Sequence, residues 1–173
     1  MSARLVQPTG IILLALLHSL AQADSPELGA EIDLADRVVV VKSERKLYLL
    51  KDGERLREMD IALGLVPTGH KTRSGDARTP EGIYMLDARN PDSDYFLSMH
   101  VSYPNDADIA RARELGVDPG GQIMIHGLPN EMRYEEANYQ GWDWTDGCIA
   151  VSNTDMIDIW LMTPDMTPIE IRP

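Results

Sequence analysis

The sequence predicts a mainly β domain, a sandwich or partly open barrel with two or three short helices. Short apolar stretches rich in β-branched and aromatic residues recur along the chain, separated by turn residues. Only two segments carry clear helical spacing and capping signals. No internal repeat or low-complexity tract breaks the pattern, so one layered domain accounts for it.

The elements follow in chain order. Residues 1–23 read as a secretory signal peptide: Arg4, an apolar core over 11–17, and Ala21-Gln22-Ala23 as a small-x-small cleavage site. The apolar run is shorter than the roughly 20 residues a bilayer requires, so no stable membrane insertion is expected after cleavage. Residues 24–36, acidic with Pro26 and Gly29, read as a leader, and 37–173 as the domain. Val38 to Val41, Lys46 to Leu50 and Arg55 to Leu63 form a strand meander, the last two strands joined by an Asp52-Gly53 turn. Residues 64–82, rich in Gly, Pro, Thr and basic residues, form a long loop of the kind that carries function. Strands are expected at 83–88 and 95–102. A helix over 106–115 stops at Gly116, and a strand over 122–125 ends at His126. Residues 128–144 read as irregular or weakly helical. A short strand over 148–151 precedes a helix that starts at Ser152, with Asp155 three residues on, and runs to Met162. Ile169 to Ile171 completes the sheet.

Charge excludes some partners. With 16 Lys+Arg against 28 Asp+Glu, the chain carries a net charge of −12. That balance repels nucleic acid and anionic membrane surfaces, so neither is an expected partner. Cys148 is the only cysteine, so disulfides contribute nothing to stability within the chain.

A lone cysteine is either a buried apolar filler or a reactive thiol. Cys148 follows Gly147 in Thr145-Asp146-Gly147-Cys148-Ile149-Ala150 and precedes an apolar run, which suits a thiol at the mouth of a turn. His126, ending a separate apolar strand before Gly127, is either a structural histidine or a base able to reach that thiol if the two strands are neighbours. Backbone amides at Gly147 and Cys148 are candidates for an oxyanion site, because glycine lets the chain turn tightly.

Ile125-His126-Gly127 followed by Thr145-Asp146-Gly147-Cys148-Ile149-Ala150 resembles the His-Gly … Ser/Thr-x-Gly-Cys signature of the L,D-transpeptidase catalytic domain (YkuD/ErfK-like), nearest its YafK-like branch. The likeness runs from Val38 to Ile171 and includes Gly64, Arg78-Thr79-Pro80-Glu81-Gly82 and His100-Val101-Ser102-Tyr103-Pro104-Asn105. The resemblance implies the fold of that family, a periplasmic or cell-envelope location, and action on peptidoglycan stem peptides with no metal or cofactor. Carried onto this chain, Cys148 is the nucleophile that forms a thioester acyl-enzyme and His126 is the base. The Gly127 carbonyl orients the imidazole. An amine acceptor gives transpeptidation. Water gives an L,D-carboxypeptidase or amidase-type hydrolase, acting on stem peptides or on a wall-anchored lipoprotein. A silent wall-binding module is the third alternative.

Two positions depart from the commoner signature: Asp146 stands where many members have His, and Ala150 where they have Arg or Asn. An anion at 146 raises a neighbouring thiol pKa unless it points away. Candidate substrate-binding residues are Arg78, His100, Thr145, Asp146 and Trp144. Arg78 and Arg73 suit a carboxylate but are otherwise solvated loop residues. His100 otherwise makes a structural hydrogen bond, and Trp142 and Trp144 either wall the cleft or pack in the core. His70 has no supporting context, and the nine methionines read as packing.

Overall fold

The structure, a computed structural model, describes residues 32–139 and 141–173. The expected signal peptide over 1–23 and most of the leader lie outside the described residues. The packed body extends back to Ala35, which is buried and donates its N–H to Met162 O at 2.7 Å.

Eight strands form the sheet: β1 (Arg37–Val41), β2 (Lys46–Lys51), β3 (Glu54–Asp60), β4 (Gly82–Ser93), β5 (Phe96–Val101), β6 (Ile123–His126), β7 (Ile149–Ala150) and β8 (Thr167–Arg172). Their spatial order is β3-β2-β1-β8-β4-β5-β6-β7. The opening meander forms because β1 is β-branched throughout its interior, and Asp52 and Gly53 both take positive φ (52° and 84°), matching the twist of a tight hairpin. β3 is the exposed edge, and its Arg55, Arg57, Glu58 and Asp60 discourage pairing with another chain. β8 does not lie at an edge. It inserts between β1 and β4, parallel to the first and antiparallel to the second, with Thr167, Ile169 and Ile171 turned to the core.

The sheet curls until its edges nearly meet. On leaving β3, the chain crosses to the opposite edge, where Ala62 and Ala150 exchange two N–H···O bonds of 2.9 Å each. Thr145 N then donates to Leu63 O at 3.1 Å, and Leu65 N to Thr145 O at 2.9 Å. The partly open barrel is the arrangement adopted, and the described strands all belong to one sheet. This crossing is why the third strand ends at Asp60 rather than Leu63: after Ile61, whose N–H still donates to Arg45 O, Ala62 and Leu63 bond with the β7 side.

Inside the curl, Val38, Leu49, Leu86, Met99, Ile125, Ile149 and Ile169 form a core with Met156 and Ile159 from α3 (Asn153–Met162). Ser152 caps α3 by accepting from Asp155 N at 3.0 Å. α1 (Asp106–Leu115) starts with a reciprocal Asn105–Asp108 capping box and ends on left-handed Gly116. α2 (Glu136–Tyr139) is a single turn within the segment read as irregular. β4 runs on to Ser93, beyond the expected Ala88. Irregular register at Leu86/Ala88 and Asn90/Ser93 breaks the alternation by which a strand is recognised in sequence.

Candidate active site

β6 and β7 are parallel neighbours, with Ile125 beside Ile149 and His126 beside Ala150. Strand alternation then settles the side chains. Ile125 and Ile149 point into the core, while His126 and Cys148 share the opposite face. Both line one cleft of about 330 Å³, together with Ser98, Gln122, Met124 and Trp144.

His126 is buried, and its Nδ1 lies 2.7 Å from Gly127 O. A carbonyl can only accept, so Nδ1 carries the proton and Nε2 is the basic nitrogen. Burial depresses the imidazole pKa, and the bond to Gly127 O opposes that in part. Gly127 is itself held: its N–H donates towards Tyr95 O and Leu97 O at 3.1 and 3.2 Å. A Cβ at this position would sit 2.5 Å from Asn153 Oδ1 and 3.0 Å from Phe96 Cβ, so any larger residue would have to displace those side chains.

Cys148 is half-buried, with Sγ 3.6 Å from Gln122 O. Burial raises the thiol pKa; the Met124 N–H opposes this, the Asp146 carboxylate adds to it and the Lys71 ammonium lowers it. Asp146 is exposed at the cleft, so its anion acts on the thiol, though less than burial does.

The turn before Cys148 is closed by Thr145. Its Oγ1 accepts from Gly147 N at 3.1 Å and donates to Cys148 O at 2.7 Å. Of the two candidate oxyanion amides, the Gly147 N–H is engaged within the turn. Gly147 takes φ 133°, and a Cβ there would meet Arg78 O at 2.6 Å, so this residue serves close packing and an unusual backbone angle.

Other sequence candidates divide. Trp144 is at the site, with its ring edge-on to His126 at 5.6 Å and its Nε1 donating to Tyr139 O at 3.1 Å. His100 is bound to Asp87 (Nδ1 to Oδ1 2.6 Å) and is not among the cleft-lining residues. The Arg78 guanidinium donates to Thr68 O at 2.7 Å, within its own loop. Neither side chain is among those lining the thiol cleft.

Two features have no clear sequence signal. Tyr95, beyond the end of β4, stands 4.6 Å from the His126 ring; along the chain it is one aromatic in a run of turn residues. Lys71 is buried in the 64–82 loop, bonded to Asp76 Oδ1 at 2.8 Å. Burial alone would raise the Asp76 pKa, but Lys71 and the N–H groups of Thr72, Arg73 and Arg78 hold it at about 2. Among the described residues, no group of three or more His, Cys, Asp or Glu is placed to hold a metal.

Residues 35–171 match the YkuD family model, the L,D-transpeptidase catalytic domain. Over 96 residues the chain is 34% identical to YafK of Escherichia coli (strain K12), covering 52% of this chain and 37% of YafK. The match thus spans little more than a third of that relative. Among solved structures, the helical cell shape determining protein Pgp2 (K307A mutant) of Campylobacter jejuni superposes with a TM-score of 0.59 at 28% identity, covering 80% of this chain and 47% of that one. The L,D-transpeptidase of Xylanimonas cellulosilytica, at 17% identity and TM-score 0.53 over 80% of this chain and 61% of that one, shares the fold.

Proposed function

The chain belongs to the L,D-transpeptidase catalytic domain family, and from that premise we propose that it is an exported cysteine acyltransferase acting on peptidoglycan stem peptides. The observation that carries the reading is the shared cleft of Cys148 and His126, with the imidazole oriented by Gly127 O.

Burial pushes the thiol pKa up and the imidazole pKa down, so both groups rest uncharged near neutral pH. The proton therefore moves as the bond forms. His126 Nε2 takes the Cys148 proton while Sγ attacks the carbonyl on the L side of an L–D peptide bond. The developing oxyanion is assigned to the Cys148 N–H. The C–N bond then breaks, the imidazolium returns its proton to the leaving amine, and a thioester remains on Cys148. An acceptor amine completes a cross-link. The departures at Asp146 and Ala150 from the commoner signature favour a second reading in which water takes the acyl group, trimming stem peptides or releasing a wall-anchored lipoprotein. The likeness to a protein named for determining cell shape fits wall remodelling under either acceptor. Family members act on periplasmic peptidoglycan, and no described helix is long and apolar enough to cross a membrane.

Intact-mass measurement after carbapenem treatment should show one adduct, absent from Cys148→Ala. His126→Ala should slow acylation about 10²–10⁴-fold; an unchanged rate removes its role as base. Since only neutral imidazole accepts the proton, kcat/KM should fall on the acid side with a midpoint below 6.5. Purified muropeptides with and without an amine acceptor separate dimer formation from chain shortening.

A further inference from the structure

A second cleft, of about 790 Å³, opens beside the thiol cleft and shares Asp94, Tyr95 and Trp144 with it. Its walls are aromatic to an unusual degree for a chain with few aromatics. Tyr134 is 59% exposed, Trp142 50%, and Tyr95 is also exposed. Exposed rings gathered in one concavity mark a binding surface more than a packing need.

The rings are also connected. Tyr134 contacts Tyr139 at 6.1 Å, Tyr139 contacts Trp144 at 5.3 Å, and Trp144 contacts the His126 ring at 5.6 Å. An aromatic path thus leads from solvent to the imidazole. Tyr139 is buried and braced, its hydroxyl accepting from Arg133 N at 3.0 Å and its carbonyl from Trp144 Nε1, so Tyr134 packs on a fixed ring. The charged groups of the cleft are two carboxylates, Asp94 and Glu131, against one guanidinium, Arg133.

That chemistry discriminates between the two halves of a peptidoglycan unit. Stem peptides carry free carboxylates and amines but no flat apolar face, so the exposed rings of the cleft have little in them to stack on. A pyranose presents a flat array of C–H groups to a ring face and hydroxyl donors to carboxylates, and its acetamido group adds a methyl and an amide. We propose that this cleft binds an N-acetylated amino sugar of the glycan strand while the attached stem peptide enters the Cys148 cleft. The inference rests on the peptidoglycan reading above and names the part of the substrate that reading leaves unassigned.

The test uses the full chain and tri-N-acetylchitotriose, a peptide-free probe. Titration followed by ligand-observed NMR should show binding at millimolar concentration, with the acetamido methyls most strongly saturated. Trp142→Ala and Tyr134→Ala should each weaken it about tenfold, and Trp142→Phe should restore most of the loss. Cellotriose, without acetamido groups, should bind more weakly. In turnover assays, Trp142→Ala should lower the ratio of kcat/KM for glycan-linked over sugar-free stem peptide about tenfold. No binding of the chitotriose, equal binding by both alanine variants, or displacement by a sugar-free stem peptide overturns the proposal. Carbapenem acylation reports on the catalytic reading separately: ring-dependent sugar binding with no acylation would refute that reading and leave this one standing.

Discussion

Residues 64–82 and 128–144 are both long connections with little regular structure near Cys148, yet the first buries charge and the second leaves rings in solvent. In 64–82, Lys71 and Asp76 pair out of water, and Asp76 also accepts from three backbone amides. From outside the loop, Lys42, 2% exposed, places its Nζ within 2.7, 3.0 and 2.8 Å of Gly69 O, Thr79 O and Glu81 Oε1. His70 joins the loop to α1, with Nε2 3.0 Å from Asp108 Oδ1. Buried ions are costly to desolvate, so such a network holds only when each member is satisfied. The loop is consequently one unit. In 128–144, the ends are tied down, with Asn130 bonded to Ser93 O and Phe96 N and Asp143 paired with Arg45 at 2.7 Å, while between them Tyr134 and Trp142 stay exposed. Buried ionic order lies in the first connection and exposed rings in the second.

This contrast can be broken experimentally. Asp76→Ala strands the Lys71 ammonium and three amides, and should cost about 3–5 kcal/mol in urea denaturation; a loss near zero would mean the ions do not hold the loop. A milder version uses acid. The Asp76 pKa lies at about 2 against an ordinary 3.8. Its contribution, on the order of 2 kcal/mol, is complete above 3.8 and lost as pH falls through about 2. Asp76→Asn should therefore flatten the acid limb of the stability profile within that window. At the small end, Tyr134→Ala should change stability by no more than about 0.5 kcal/mol, and a larger loss would make the aromatic wall structural after all.

Legibility in the sequence follows the range of the interactions. The β1–β2–β3 meander was readable because a Val run, an Asp-Gly turn and the short spacing of antiparallel partners are local signals. α1 and α3 were readable from the glycine stop and the Ser-Asp cap. Cys148 and His126 could be singled out because their chemistry is rare, one opening an apolar run and the other ending one. The central place of β8 could not be read, since its partner Val38 lies at the other end of the domain and parallel pairing leaves no local mark. Lys42 reads as the solvated end of a strand, but its burial depends on carbonyls at 69 and 79. The fates of Arg78 and His100 turned on Thr68 O and Asp87, neighbours that are ordinary residues in sequence.

By itself the sequence determined the strand-rich class, the two capped helices and the identity of a thiol and an imidazole, because these depend on backbone preference and side-chain chemistry within a few residues. Only the tertiary structure decided that the sheet curls until Ala62 meets Ala150, that Gly147 N–H is engaged within its turn, and that Tyr95 and Trp144 flank His126. Those outcomes depend on which distant groups satisfy one another once water is excluded, and local sequence carries no record of that choice.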